Sequence, residues 1–311
     1  MDTRFIIMVN LDVGDKISEW LYTVLQSVYG SIYSALYAQS EKTFDVLFIT
    51  LNEKVVWASA ELSKNPESWN GAAFSLAKGI AETALIPIAA CMISFIFCWE
   101  LIHMMQESNH MQNIRPDTIL MVLLKLALCM IACSKSFSIV MGFFEIGAEA
   151  TKSIMGKSTV KQFGEELKFE DVLPRVTENF AFSDVLDALI AMLLLFIAWI
   201  LTLAVSAIIY IRVNMWFIEL LMYSSAAPIP FSTFGNKEWG QMGMNYTRKM
   251  LALSFEGFFM LLAFAMFGAV MSGIGGGNFY ESVVMIIAAG FSLCMVLFKA
   301  SNISASIFNA H

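Results

Sequence analysis

The sequence predicts an all-α membrane protein, a polytopic bundle of five or six spanning helices with an amphipathic helical region at its N-terminus. Of the 311 residues, 58% are hydrophobic and only 14% are charged, a balance outside the range of soluble domains. Residues 188–211 form a run of 24 uncharged positions, long enough as a helix to cross the ~30 Å of a bilayer core. Further apolar runs lie at 80–102, 118–144, 250–271 and 282–298.

This pattern divides the chain into four regions. Residues 1–75 form the amphipathic helical region, and residues 76–144 hold the first one or two spans. Residues 145–184 form a polar loop with short helices, in which charges of both signs indicate a solvated surface. Residues 185–311 form the membrane core, with two adjacent apolar elements and then two further spans.

The N-terminal region is predicted to contain two amphipathic helices. Between Lys16 and Gln39, apolar residues recur at steps of three and four beside a fringe of aromatic residues. A second mixed segment covers 44–62, and a turn follows at 63–68. Helices of this kind lie on a membrane surface or pack on another domain. The basic face usual for lipid binding is missing here, and both alternatives stay open.

The first two candidate spans contain residues that are unusual at membrane depth. Pro87 lies in the first turns of the run 80–102 and predicts a kink or a locally broken helix. Lys125 and Lys135 interrupt the run 118–144, where a lysine facing lipid costs a few kcal/mol. We therefore expect both lysines to face protein or water, unless this segment lies partly outside the hydrocarbon.

The membrane core is predicted to contain a break and a re-entrant turn. Arg212 and Asn214 follow the long apolar run and predict a polar break between two helices. The second element ends at Pro228, Pro230 and Gly235, and such an element is either re-entrant or fully spanning. Tryptophan and tyrosine favour the membrane interface, and the candidate interfacial aromatic residues are Trp20, Trp99, Trp216, Trp239 and Tyr246.

Charged residues inside the apolar runs are the candidate functional residues. Ionisable groups at such depth usually pair with one another or face water. A lysine from the second span paired with Glu219 or Glu256 would neutralise both charges. These residues either fix how the helices pack or line a polar path, and the set comprises Lys125, Lys135, Glu219, Glu256 and Asp187.

No pattern of catalytic or cofactor-binding residues is present in the sequence. It contains no His-Glu-x-x-His, Gly-x-Ser-x-Gly, Walker or Cys-x-x-Cys sequence. His103, Glu107 and His110 approach one helical face and are interpreted as an interfacial helix end, with metal ligation as the alternative. The five cysteines lie in apolar runs, and the net charge of −7 disfavours nucleic acid as a surface partner. We predict no catalytic residue, no metal and no cofactor, hence no enzyme.

The stretch from Met215 to Gly235, with Glu219, Pro228 and Pro230, resembles the TrbL-like polytopic inner-membrane subunits of bacterial type IV secretion and conjugation systems. The likeness covers Val185 to Phe298, about a third of the chain, and includes the long apolar span before this stretch, the polar segment after it and the span that carries Glu256. This chain departs from the family pattern in being short and in lacking a long polar C-terminal tail.

The resemblance implies a subunit at the base of a DNA or protein translocation channel in the inner membrane. It also implies a homo-oligomer that works with other secretion-system membrane subunits and cytoplasmic ATPases, within the lipid bilayer and with DNA or protein as transient cargo. A secondary transporter or channel for a small solute or ion is the alternative, because broken helices and membrane carboxylates are typical of transporters too.

Overall fold

The computed structural model describes residues 3–107, 116–155, 169, 173, 175–176, 180–236, 238–272 and 279–310. Every regular element in these ranges is helical, as the sequence predicted. The α-helices are α1 (Thr3–Leu62), α2 (Pro66–Trp69), α3 (Gly71–Ile80), α4 (Ile86–Glu107), α5 (Pro116–Ser134), α6 (Ser136–Met155), α7 (Phe182–Ala226), α8 (Pro228–Phe231), α9 (Gly240–Ser272) and α10 (Phe279–Ile307).

The chain divides into two compact units, and its longest helices contribute to both. Unit 1 comprises residues 1–53, 162–206 and 269–291. Unit 2 comprises residues 54–161, 207–268 and 292–311. The charged residues that the sequence singled out, apart from Asp187, belong to unit 2.

In unit 1, aromatic residues of α1 hold the segment that precedes α7. The Tyr37 hydroxyl donates a hydrogen bond to the carbonyl of Leu173 at 2.9 Å, and the backbone N–H of Val176 donates to the Tyr33 hydroxyl at 3.0 Å. The Phe169 ring packs on Tyr37, with centroids 5.0 Å apart. The remainder of the predicted loop 145–184 belongs to α6 up to Met155 or lies largely outside the described residues.

The N-terminal region is one helix of 60 residues, α1, where the sequence predicted two. No glycine or proline separates the two amphipathic segments near residue 40, so nothing in the sequence ends the first helix. Within unit 1 its buried stripe follows steps of three and four residues, as an amphipathic helix requires. The stripe consists of Tyr33, Tyr37, Ser40, Phe44, Leu47, Phe48 and Leu51.

The first span runs through α3 and α4 without a gap, over Gly71–Gln106. A π-helical turn at Ala81–Leu85 joins the two α-helices, and Pro87 lies two residues after its end. Proline has no N–H and disrupts regular α-helical hydrogen bonding, and a single π-helical turn is a usual local response to such a disruption. The local irregularity thus lies just before the proline.

The predicted span 118–144 is a bent pair of helices. Ile119–Ser134 and Ser136–Ser153 meet at 66°, with Lys135 at the break. By length and composition this pair is either one broken span or a re-entrant loop. The exposed Lys135 therefore lies where α5 ends and α6 begins, outside the regular part of both helices.

The predicted break at Arg212 and Asn214 is wrong, because α7 continues through both residues for 45 residues in total. The Asn214 side-chain amide donates a hydrogen bond to the Tyr210 carbonyl one turn earlier, at 2.8 Å, within the intact helix. The two expected elements are therefore one helix of about 67 Å. The described residues hold four helices that can cross a membrane, or five if the bent pair counts as one, so a sixth span is absent from them.

The chain reverses after α7 through Pro228 and Pro230. Both prolines are buried in the short helix α8, and turns at Ser232–Gly235 follow. Helix α8 packs against α4, α5 and α6, so this short segment lies among the helices of unit 2. Thr233 Oγ1 donates to the Pro230 carbonyl at 2.8 Å and closes the turn.

Candidate functional site: a buried ion pair and a half-open charged pocket

Arg212 of α7 and Glu256 of α9 form a salt bridge in the interior of unit 2. Arg212 Nη2 donates to Glu256 Oε1, and only 3% and 1% of the two side chains are exposed. Two opposite charges brought together in this way neutralise each other at a depth where either alone is costly. The pair therefore joins α7 to α9 and is closed to solvent.

A third helix completes the surroundings of this pair. Arg212 Nε donates to the Leu297 carbonyl of α10 at 3.2 Å, and the Ser301 side chain hydrogen-bonds to the Glu256 carboxylate. Glu219 and Lys249 lie near enough to Glu256 to interact with it electrostatically. Neither Glu219 nor Lys249 forms an ion pair with another described residue. Three helices thus meet at one ion pair.

Two backbone carbonyls of α9 accept further hydrogen bonds near this site. Trp216 Nε1 of α7 donates to the Leu253 carbonyl at 2.9 Å, and Ser304 Oγ of α10 donates to the Ala252 carbonyl at 2.5 Å. Trp216 is 1% exposed and packs inside the protein, so it does not present its ring to the surface as the other candidate interfacial residues do, and its position at the level of the membrane interface stays a prediction. The indole lies inside because its N–H has a partner there, which removes the penalty for burying it.

Small residues allow the helices to approach closely around this site. A Cβ on Gly147 of α6 would lie 2.2 Å from the Ser254 carbonyl oxygen of α9, and one on Gly257 would lie 2.9 Å from the Trp216 ring. Glycines at membrane helix contacts bring backbones together in this manner. The ion pair is therefore enclosed by close packing on more than one side.

A second charged region lies between α4 and α5, and it is organised differently. Lys125 of α5 and Glu100 of α4 line one small pocket with an open side, and its cavity volume of about 20 Å³ has room for about one water molecule. The Asn236 side-chain amide donates to Glu100 Oε2 at 2.6 Å. Asn236 Oδ1 in turn accepts from the backbone N–H of Glu238 at 2.7 Å. Lys125 is half-buried and forms no ion pair with any residue that the structure describes.

The expected pairing of a lysine with Glu219 or Glu256 is wrong for Glu256, whose partner is Arg212. The sequence analysis assigned Arg212 to a polar break and so missed it. A signal was present, because Arg212 is the lone lysine or arginine between Arg175 and Lys237. A single arginine in such an apolar stretch requires a carboxylate partner, and Glu256 is the carboxylate deepest in the following span.

The remaining candidate residues lie at or near the surface of the described structure. Asp187 and Lys135 are exposed, and Glu219 is half-buried. Tyr246 is half-buried and its hydroxyl donates to the Tyr223 carbonyl at 2.7 Å. The exposed aromatic residues that retain a position consistent with an interface are Trp20, Trp99 and Trp239.

Among the described residues, no three His, Cys, Asp or Glu side chains lie close enough together to bind a metal ion. His103 Nε2 lies 3.8 Å from Glu238 Oε1, and both side chains are about half exposed. The Glu107 side chain and His110 lie outside the described residues. The cysteines of the described structure are free thiols.

The helices and the buried ion pair together define a multi-pass α-helical membrane protein whose interior charges are arranged between packed helices. The sequence model of a family described as TrbL/VirB6 plasmid conjugal transfer like protein matches residues 51–228. This match covers more than half of the chain, and the chain belongs to that family. Comparisons with curated proteins and with solved structures give no match.

Proposed function

We propose that the protein is a channel or scaffold subunit of a type IV secretion system, which supports the translocation of DNA or protein across the bacterial inner membrane. The family match over residues 51–228 carries this proposal, because it makes the chain a membrane subunit of conjugal transfer and type IV secretion. The matched range includes the first span, the bent pair and α7, which form most of the described membrane part.

The closed ion pair supports a scaffold role for the single chain. Arg212 and Glu256 are almost fully buried, and the contacts around them join helices to each other. Residues that serve a polar path within one chain would be expected to contact water. A path for cargo would then lie between copies of this chain or between it and other subunits, which act in the same membrane.

Apolar side chains on the outside of the helices support assembly with lipid and with other subunits. The most exposed apolar residues of α5, between 58% and 69% exposed, are Leu120, Met121, Leu124, Leu128 and Ile131. In a bilayer such surfaces meet acyl chains or neighbouring membrane helices. The partners we propose are further copies of this chain, other secretion-system membrane subunits and cytoplasmic ATPases.

Co-purification from native membranes tests the proposal. The tagged full chain is solubilised in mild detergent, and its companions are identified by mass spectrometry. Recovery as an oligomer with a secretion ATPase and single-span assembly subunits is the expected result. Recovery as a lone monomer or dimer that moves a small solute in liposomes would overturn the proposal in favour of a secondary transporter.

A further inference from the structure

We propose that the outward face of α1 in unit 1 is the surface through which copies of this chain contact one another, with their α1 helices packed in parallel and in register. This inference rests on the proposed function, which places several copies of the chain in one membrane. The face contains an outer stripe, which runs from Ile17 to Ile49 in alternating steps of four and three residues. Every residue of the outer stripe is exposed.

The spacing of the outer stripe is that of the a and d positions of a coiled coil. The residues that α1 buries within unit 1, such as Tyr37 and Phe44, lie on the opposite side of the helix. A row with this spacing drifts slowly around a straight helix, so helices that meet along it wind around each other with a left hand. Helix α1 therefore has one face for its own chain and one face that suits a second helix.

The N-terminal part of the outer stripe is apolar and lies beyond the membrane run of α7. Tyr29 contacts Phe182 at the start of α7, with ring centroids 6.3 Å apart, so residues 17–28 lie beyond the level of the run 188–211. Four large apolar side chains of this part are between 40% and 53% exposed, and they are Ile17, Leu21, Val24 and Val28. A continuous row of exposed apolar residues indicates a contact surface.

The C-terminal part of the outer stripe carries charges at the level of the α7 span. Lys42 lines one groove with Phe196 and Trp199, which lie in the middle of the run 188–211. Asp45 lies one turn further along the outer stripe, and both charged side chains are exposed. A charge that faces lipid at this level costs a few kcal/mol. This part of α1 therefore faces protein or water.

The neighbouring surface of α7 has the opposite character. Ile197 and Ile200 lie at the same level and are 52% and 48% exposed, as suits contact with acyl chains. No residue between Leu189 and Ile211 of α7 carries a charge. At one depth the chain thus presents an apolar surface, on α7, and a charged surface, on α1, and lipid can cover only the first.

A second copy of α1 fits both parts of the outer stripe. Copies that insert into one membrane with the same topology have parallel α1 helices, so apolar residues meet apolar residues along 17–28. Lys42, at an a position, then lies about one helical turn, ~5 Å, from the level of Asp45, at a d position of the next copy, within reach of a salt bridge. A lysine at one a position also fixes the register of such a contact. Small residues between the two parts let the helices approach closely, and they are Ser31, Ala35 and Ala38.

Disulfide cross-linking in membranes of cells that express only the variant chain tests the proposal. The full chain carries Cys91→Ser and Cys98→Ser, which remove the exposed cysteines, and one cysteine is then introduced on the outer stripe as Leu21→Cys or Ile49→Cys. Equivalent residues of a parallel, in-register pair lie within the Cα separation of about 4.4–6.8 Å that a disulfide allows. We expect both variants to form linked dimers on oxidation with copper phenanthroline.

Two exposed positions off the outer stripe are the matched controls. Tyr22, on the other side of α1, is 57% exposed, and Ile197 of α7 lies at the level of Lys42. Tyr22→Cys and Ile197→Cys should give no more dimer than the chain without an introduced cysteine. Equal cross-linking on and off the outer stripe would overturn the proposal. Labelling of Ile49→Cys by a membrane-impermeant maleimide without dimer formation would also overturn it and would assign this face to water.

Charge reversal tests the register. Lys42→Asp and Asp45→Lys each bring like charges together, and we expect the yield of dimer through Leu21→Cys to fall about tenfold in either variant. The double variant Lys42→Asp with Asp45→Lys restores opposite charges and should recover the yield, and equal yields in all three would overturn the register. Size-exclusion profiles and circular dichroism confirm folding. If a reversed variant does not fold, Leu21→Cys and Ile49→Cys with the parental charges decide the matter.

The result is separable from the test of the proposed function. Recovery of an oligomer with a secretion ATPase, but without cross-links along the outer stripe, would overturn this surface alone. Recovery of the chain as a lone monomer would overturn both proposals.

Discussion

The two charged regions of unit 2 differ in the burial and the pairing of their charged side chains. Arg212 and Glu256 are paired, almost fully buried and connected to a third helix through the Leu297 carbonyl. Lys125 and Glu100 share a pocket with an open side, and Lys125 has no ion pair among the described residues. In the first region the two charges neutralise each other, although Arg212 Nη1 is buried without a hydrogen-bond partner among the described residues, whereas the two charged side chains of the second region form no ion pair with a described residue and line a pocket with an open side.

This difference separates a pair of charges enclosed between packed helices from a charge that lies beside an open pocket. A charge enclosed by its own partners cannot act on anything else without breaking the pair, which costs several kcal/mol. A half-buried charge beside an open pocket can be solvated by water without breaking any pair. The following predictions break or sharpen this contrast, in order of decreasing effect.

Replacing Glu256 by methionine should have the largest effect. The Arg212 guanidinium would remain buried without a carboxylate, and we expect the free energy of unfolding to fall by about 3–5 kcal/mol. Unfolding in mixed detergent and SDS micelles measures the change. The double variant Arg212→Met with Glu256→Met removes both charges and should recover most of the loss.

Glu219→Gln is the control for that experiment. Glu219 is half-buried and forms no ion pair with a described residue, so the substitution should leave the unfolding free energy within about 0.5 kcal/mol of the parent. The same variant tests a polar path, because intact assembly with lost transfer would mean that Glu219 contacts cargo or protons. If Glu219→Gln lowered the unfolding free energy as much as Glu256→Met does, the Arg212–Glu256 pair would not be the interaction that makes the difference.

Gly147→Ala should weaken the packing around the closed region. The new Cβ would lie 2.2 Å from the Ser254 carbonyl oxygen, so α6 and α9 must move apart, at about 1–3 kcal/mol. Gly142→Ala on the same helix is the matched control, because a Cβ there has no heavy atom within 4 Å. Thermal unfolding of the purified variants compares them, and equal stability of the two would contradict the close contact of α6 with α9.

Asn236→Ala should lower the free energy of unfolding through the region around Glu100 and Lys125. Asn236 is 5% exposed, donates to Glu100 and accepts from the backbone N–H groups of Glu238 and Trp239. Its loss leaves these groups without partners, at about 1–3 kcal/mol in total. Asn236→Asp is the informative comparison, since its oxygen can still accept from the backbone while its charge repels Glu100. We expect Asn236→Asp to be destabilised as well, and parental stability would exclude the contact with Glu100.

The helical architecture could be predicted from the sequence because hydropathy and length act locally. A run such as 188–211 is too apolar for water and long enough for a bilayer, whatever surrounds it. The prediction of a break at Arg212 was wrong for the same reason, because hydropathy describes only the local sequence. Hydropathy reads a charge as the end of a membrane segment, whereas the partner that permits this charge inside the helix, Glu256, lies 44 residues away.

The site required information that no local pattern contains. Tryptophan is a residue type typical of the membrane interface. The burial of Trp216 depends instead on a hydrogen bond to the carbonyl of Leu253 on another helix. The contact of Asn236 with Glu100 spans 136 positions of the chain. Such pairs arise from the packing of α4, α7, α9 and the turn after α8. This packing cannot be inferred from the patterns of a single sequence. The presence of unusual charges could be predicted, and Arg212 gave a signal for a carboxylate partner, while the partners of Trp216 and Asn236 could not be predicted.

Lys125→Met should have the smallest effect on stability, although it too removes a cation from a membrane helix. No ion pair is lost, and the methionine side chain replaces most of the aliphatic stem in the pocket. We expect the unfolding free energy to change by no more than about 0.5 kcal/mol, or to rise slightly, since an unpaired charge leaves apolar surroundings. The SDS titration used for Glu256→Met measures it, with Lys135→Met as the control for an exposed lysine. A loss comparable to that of Glu256→Met would mean that Lys125 has a partner within the chain, and the contrast between the two regions would then fail.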